Sequence, residues 1–188
     1  MILCGVGGQG VLSLAAIIAK ASLSAHLNVR QSEVHGMSQR GGEVSSHLRI
    51  GDEEIVGDLV PSGTADLIIS MEPMESLRYL NYLKPNGIVI TASEPVKNIS
   101  NYPDINAVYA KIAEIPGSIC LEAETLAEAA GSRRASNMVL IGAASSFLPL
   151  ETDGLQNAIR ETFASKGESI VETNLKAFDA GRRFQNPN

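Results

Sequence analysis

Two stretches hold residue types at spacings from which a site could be built. GVGGQG, residues 5–10, sets Gly5, Gly7 and Gly10 in a GxGxxG pattern, with Gly8 and Gln9 added between them. In that pattern the first glycine permits a tight turn, the second lets a pyrophosphate approach the backbone, and the third lets a helix pack closely on a strand. SEVHGMSQRGGEVSSHLR, residues 32–49, gathers Glu33, His35, Ser38, Gln39, Arg40 and the Gly41-Gly42 pair. Arg40 offers a planar fork that can hold a carboxylate or phosphate with two hydrogen bonds, and the glycine pair frees the next amides to face the same anion. His35 could shuttle a proton near neutral pH.

Each stretch has competing readings. Glu33 lies far enough beyond GVGGQG to accept a ribose hydroxyl, which would make the chain an NAD- or FAD-binding oxidoreductase acting alone. Against that, the chain runs from Glu33 into HGMSQRGG and what reads as another strand, where a dinucleotide fold would enter a helix. Gly8 and Gln9 are unusual additions, and no second domain is evident to hold a substrate against a nicotinamide. The glycine turn is therefore read as packing helix on strand while holding an anion or a partner's group. In the second stretch, Arg40 could instead close a salt bridge to Glu33 or Glu43 while His35 caps a turn, and residue types alone leave both readings open.

The elements that must position these residues follow from periodicity. A short apolar run to Cys4 reads as a strand, and VLSLAAIIAKASLSA carries apolar residues at helical spacing. NVRQSEV is β-permissive, and EVSSHLRI and EEIVGD suggest two further strands around Gly51-Asp52. DLIISM, the helix EPMESLRYLNYL with Pro73 in its first turn, the break KPNG and the strand GIVITA form a βαβ unit. INAVYA and SICLEA repeat the strand signal, and ETLAEAAG reads as a helix closed by Gly131. NMVLIGAASSFL is apolar almost all round and predicts a buried helix. Two amphipathic helices follow, around TDGLQNAIRETFASKG, with Thr152 as N-cap, and SIVETNLKAFDAGRRF. The whole predicts an α/β fold: a single Rossmann-like domain over residues 1–188, with a mostly parallel sheet and helices on both faces. Both glycine-rich stretches fall at the carboxyl edge of that sheet, where such folds meet ligands.

Composition sets limits. A net charge of -6 provides no basic surface for displacing counterions from nucleic acid. No apolar run approaches the roughly 20 residues needed to cross a bilayer, and MILCGVGGQG has neither a basic n-region nor a cleavage site, so a cytoplasmic chain without membrane contact is expected. Cys4 and Cys120 are the only cysteines, too few for an iron-sulfur cluster or a structural zinc site, and both read as buried hydrophobes in strands. No metal ligand set and no catalytic residue stands out in this chain. His26 reads as a helix end and His47 as a packing histidine. Arg133-Arg134 read as helix-end charges able to join a partner contact, and Met71 and Met74 as gap fillers or interface residues.

Taken in this order, GVGGQGVL and SEVHGMSQRGGEVSSHLRIG resemble the beta-subunit family of indolepyruvate:ferredoxin oxidoreductase, which corresponds to the gamma subunit or domain of the wider 2-oxoacid:ferredoxin oxidoreductases. The resemblance extends to the NLKAFDAGR ending. It implies a complex in which a larger alpha subunit carries thiamine diphosphate, Mg and [4Fe-4S] clusters. That complex decarboxylates a 2-oxoacid oxidatively, passing the acyl group to coenzyme A and electrons to ferredoxin. This chain has no GDG motif followed by Asn for thiamine diphosphate, so the resemblance assigns the cofactors to the partner and implies that the isolated chain is inactive. On this view Gly5, Gly7, Gly8, Gln9, Gly10, Glu33, His35, Ser38, Gln39, Arg40, Gly41 and Gly42 serve substrate or coenzyme A access, or partner binding, beside the partner's active site. A pure assembly role for the same loops stays open, as does a homodimer formed when the partner is missing.

Overall fold

Ile2–Val6 is buried along its whole length, so it must have neighbours on both edges and cover on both faces. In the computed structural model, which describes residues 1–35, 41–97 and 99–185, this strand is β1 of a six-stranded sheet. The other strands are β2 (Asn28–His35), β3 (Glu43–Gly51), β4 (Ala65–Ser70), β5 (Leu83–Ala92) and β6 (Ile119–Leu121), in the order β2-β3-β1-β4-β5-β6. The ladders β1-β4, β4-β5 and β5-β6 are parallel, whereas β3 runs antiparallel to both β1 and β2. The sheet is thus mostly parallel, with one reversed strand inserted beside β1.

The helices are α1 (Val11–Ser24), α2 (Pro73–Arg78), α3 (Ile105–Ala113), α4 (Ala123–Ala129), α5 (Ser136–Ala144), α6 (Thr152–Phe163) and α7 (Glu168–Gln185). Side chains of a strand alternate between faces, and the two cores divide accordingly. Leu3, Ile69 and Ile90 join α1, α5, α6 and α7 in the larger core. Ile2, Cys4, Ile68 and Val89 point the other way, onto Val60, Tyr79 and Tyr82 around the end of α2. Residues 137–144 of α5 are all buried, as expected of a helix apolar almost all round. Its contact with α7 is made backbone to backbone: a Cβ on Gly142 would lie 2.0 Å from the Phe178 carbonyl oxygen, and one on Gly181 would lie 1.9 Å from that of Val139. No helix of the described residues is long and apolar enough to cross a membrane.

Several expected elements differ. INAVYA is helix α3, not strand, because Asp104 Oδ1 accepts from the amides of Asn106 (3.0 Å) and Ala107 (3.1 Å), and the apolar pair that is buried, Val108 and Ile112, is spaced i,i+4. EEIVGD is a loop, because arginine side chains rather than a strand take its carbonyls. KPNG is a bulge inside β5, with Asn86 at φ 65° and the register slipping between Ala65 and Leu67. Glu151 occupies the N-cap position of α6, so Thr152 is the first helical residue. Cys4 is buried, and burial raises its thiol well above the usual range, leaving it inert. Cys120 is exposed because β6 is an edge strand, which corrects the expectation of two buried thiols. His47 does pack: its Nδ1 accepts from the Val60 amide (3.1 Å), its ring meets Tyr82 edge-on, and burial lowers its pKa.

Candidate functional site

Strands β1, β4 and β5 all end at the same edge, and the glycine turn leaves the first of them. Gln9 shapes that turn through its side chain as well as its backbone. Its amide donates to the Val6 carbonyl (3.1 Å), its Oε1 accepts from the Val6 amide (2.7 Å), and its Nε2 donates to the carbonyl of Met71 (2.9 Å), just beyond β4. Gly5 is required by this close approach, since a Cβ there would sit 2.8 Å from Met71 Cβ. Gly10 caps α1 in a left-handed conformation, φ 91°, which a side chain would strain.

Gly7 serves a purpose that a dinucleotide fingerprint would not predict. Its amide donates to the Gly42 carbonyl (2.8 Å), and its carbonyl accepts from the Gly41 amide (3.3 Å). The amide that would face a pyrophosphate is therefore engaged by the second glycine stretch, and the two stretches form one joined surface. Its root is held from below by Tyr79, whose hydroxyl donates to Glu43 Oε1, and burial with the adjacent Glu43 keeps that phenol protonated.

Among the other sequence-predicted residues, Glu33 is not brought to the turn. It lies on edge strand β2, pairs with Ser46 on β3, which in turn pairs with Leu3, and accepts from Gln31 Nε2 (2.9 Å). Two strand spacings, about 10 Å, separate it from β1, so the inserted β3 occupies the place where a nucleotide fold would hold its ribose acceptor. The His35 backbone pairs with Val44 at the carboxyl end of β2. Ser38, Gln39 and Arg40 lie outside the described residues.

Beside the turn opens a cleft of about 970 Å³, lined by Gly8, Gln9, Gly10, Arg134, Asn137 and Lys166 among others. Helix α1 begins at this cleft without a side-chain cap, so its first-turn amides are left to solvent or a ligand, whereas α5 continues from a 3₁₀ turn in which Ser132 Oγ accepts from the Arg134 amide (3.3 Å) and the Arg133 carbonyl from the Ser136 amide. Arg133 is paired with Glu124 and Glu128, each at 3.4 Å. Arg134 and Lys166 have no ion-pair partner among the described residues, although Lys166 lies over the Phe163 ring, 5.2 Å from its centroid. Asn137 is 6% exposed, and its Oδ1 is buried with no hydrogen-bond partner. The site thus combines two cations without ion-pair partners among the described residues, one open helix N-terminus and one waiting acceptor, a set suited to a phosphate-bearing ligand that also carries N–H or O–H groups.

Sequence reasoning reached Gly8, Gln9 and Gly10 and took Arg134 for a helix-end charge able to join a partner contact, but missed Asn137 and Lys166 on this wall of the cleft. The available signal was Asn137 itself, an amide near the head of an otherwise apolar helix. Behind the cleft, the β4–α2 connection is built on carboxylates. Glu72 is fully buried and accepts from the Glu75 amide (2.8 Å), the Val96 amide (3.3 Å) and the Tyr102 hydroxyl. Glu75 accepts from Arg78 Nε (3.0 Å), and its second oxygen is buried without a partner. Burial raises the Glu75 pKa to about 7 against the pull of Arg78, with Glu43 and Glu72 adding to the rise.

The described residues contain no group of three or more His, Cys, Asp or Glu side chains arranged to hold a metal ion. Cys4 and Cys120, on β1 and β6, stand three strand spacings apart, about 14 Å, so the chain's thiols cannot share a cluster.

Comparison with known proteins gives a consistent result. Residues 1–184 match the family described as pyruvate ferredoxin/flavodoxin oxidoreductase. The chain is 39% identical over 190 residues to an indolepyruvate oxidoreductase subunit IorB from Archaeoglobus fulgidus, covering 96% of this chain and 92% of that one. Among solved structures, the gamma subunit of a keto/oxoacid ferredoxin oxidoreductase from Geobacter sulfurreducens shares the fold with a TM-score of 0.71 at 21% identity, over 100% of this chain and 98% of that one. A 2-oxoglutarate:ferredoxin oxidoreductase from Magnetococcus marinus, solved with 2-oxoglutarate, coenzyme A and succinyl-CoA bound, contains the same fold within 31% of its chain, with a TM-score of 0.76 at 24% identity over 100% of this chain.

Proposed function

The chain belongs to the pyruvate ferredoxin/flavodoxin oxidoreductase family, and from that premise we propose that it is the non-cofactor subunit of a 2-oxoacid:ferredoxin oxidoreductase complex acting on indolepyruvate or another aryl 2-oxoacid. A larger subunit supplies thiamine diphosphate, Mg and the iron-sulfur clusters, for which this chain lacks the thiolates. The complex converts the 2-oxoacid and coenzyme A into acyl-CoA and CO2, and the electrons leave through ferredoxin.

The observation that carries this reading is the hydrogen-bonded union of the two glycine stretches at the carboxyl edge of the sheet, directly beside an anion-suited cleft. In this role the chain binds and positions. Arg134, Lys166 and the open amides of α1 hold the phosphates of coenzyme A, while Asn137 Oδ1 accepts a hydrogen bond from it. Arg40, with Gly41 and Gly42, forms the lip toward the partner's active site and contacts a carboxylate or phosphate there.

The test uses the assembled complex. Replacing Arg134 and Lys166 together by Ala raises KM for coenzyme A by about tenfold, with KM for the 2-oxoacid unchanged; unchanged coenzyme A kinetics would remove the cleft from the reading. For Arg40→Ala, reduced turnover with assembly intact supports a site role, and lost assembly with normal specific activity of the residual complex supports docking. If neither changes, Arg40 has no part in it. A melting shift of the purified chain with NAD(H) or FAD would favour a nucleotide-binding oxidoreductase instead.

A further inference from the structure

The end of the sheet away from the glycine turn carries a loop whose construction the subunit's role at the cleft does not explain. Residues 52–60 form the first part of the connection from β3 to β4, near the amino end of β1, and follow an irregular path. Four side chains of the β2–β3 hairpin hold them in place. Asn28 Nδ2 donates to the Asp52 carbonyl (3.2 Å), Arg30 Nε to that of Ile55 (3.5 Å), and Arg49 Nη1 to those of Val56 (2.7 Å) and Gly57 (2.9 Å). His47 completes the set by accepting from the Val60 amide. Ile55 and Val60 face inward, but Val56 is 85% exposed and Leu59 58%.

Ordering a loop costs conformational entropy, and here the ordering leaves two large apolar side chains in water. The loop's own charges have one sign. Asp52, Glu53, Glu54 and Asp58 are all exposed, no lysine or arginine occurs between residues 50 and 60, and none of the four acids forms an ion pair among the described residues. The neighbouring arginines, Arg30 and Arg49, turn Nε and Nη1 respectively to the loop's carbonyls and stay on its hairpin side. An apolar pair flanked by four acids that form no ion pair among the described residues is complementary to an apolar hollow with a basic rim.

We propose that residues 52–59 are a preordered docking prong: Val56 and Leu59 enter an apolar hollow on a protein partner whose rim carries lysine or arginine, forming an interface at the opposite end of the sheet from the cleft. The inference rests on the subunit reading, and the partner is the larger subunit of the same complex.

The experiment measures binding of the full chain to the larger subunit at low and high salt. Wild type is compared with Val56→Asp/Leu59→Ser and with Glu53→Lys/Glu54→Lys, and the melting temperature of each chain is checked first, since exposed substitutions should leave it unchanged. The first variant raises the dissociation constant about tenfold or more. The second weakens binding at low salt and flattens its salt dependence. Equal affinity of wild type and both variants overturns the prong and leaves the subunit reading standing, whereas no binding by wild type overturns the reading and the prong with it. If the first variant instead abolishes self-association of the isolated chain while binding the larger subunit normally, the occupant is a second copy and the proposal is wrong.

Discussion

Gly8 and Gly10, in the turn after β1, take positive φ values of 103° and 91° and face a cleft, whereas Gly142 and Gly181 lie inside helices and let the backbones of α5 and α7 touch. In the first region glycine is selected for what the backbone can do, and the reward is a set of amides and carbonyls left available to another loop or a ligand. In the second it is selected for what a side chain would obstruct, and the reward is dry contact between two helices. The difference teaches that one residue type marks a site in one place and a core in another. Only the neighbours, Asn137 and Gly42 in one case and Phe178 and Val139 in the other, say which.

The comparison breaks most visibly at the helix crossing. Glycine to alanine in a helix interior ordinarily gains about 1 kcal/mol, yet Gly142→Ala and Gly181→Ala must push two backbones apart and should each cost a net ~2 to 3 kcal/mol. Thermal melting should therefore fall by roughly 5 to 10 °C for a chain of this size, and a rise would show that the helices slide freely. Within the turn, Gly5→Ala meets Met71 Cβ, whereas Gly8→Ala meets nothing within 4 Å and is strained only by its φ. The expected losses are about 1 to 3 kcal/mol for Gly5→Ala and about 1 kcal/mol for Gly8→Ala. Denaturant titration would rank them, and the reverse order would mean that strain rather than the contact with Met71 governs the turn.

A smaller effect separates the carboxylates behind the cleft from the glycine framework in front of it. Because Glu75 is raised to about 7 from an ordinary value of 4.5, the folded state holds a proton that the unfolded state releases between those values. Glu75 accordingly imposes no penalty below about pH 4.5 and an increasing one as pH rises toward 7, levelling off above it. Glu75→Gln, which mimics the protonated form, should gain stability relative to wild type between pH 5 and pH 8, and a constant difference across that range would show that burial does not control this carboxyl.

Much of the fold was legible in local pattern. GVGGQG between an apolar run and a helical repeat reads as strand, turn and helix because each of those periodicities is set by neighbours in sequence. INAVYA failed because β-branched and aromatic types outweighed the i,i+4 spacing of Val108 and Ile112, and the deciding contact was a cap by Asp104. EEIVGD failed because its carbonyls are taken by arginine side chains, Arg49 and the more distant Arg30, rather than by a paired strand, which residue types in the segment do not reveal. The site divided in the same way: the glycines nearest the turn were visible as a motif, while Arg134, Asn137 and Lys166 come from elements more than a hundred residues further along.

By itself, then, the sequence determined the alternation of strands and helices, the two glycine stretches, the absence of enough thiols for a cluster, and a family resemblance carried by those stretches. Tertiary structure decided that β3 separates Glu33 from β1, that the Gly7 amide meets Gly42 rather than an open pyrophosphate site, that Asn137 lies against Gly10, and that Val56 and Leu59 stand out in an acidic loop. The physical reason is range. Propensity, capping and periodicity act over a few residues, whereas strand order, buried acceptors and cleft walls depend on which distant segments the core brings into contact.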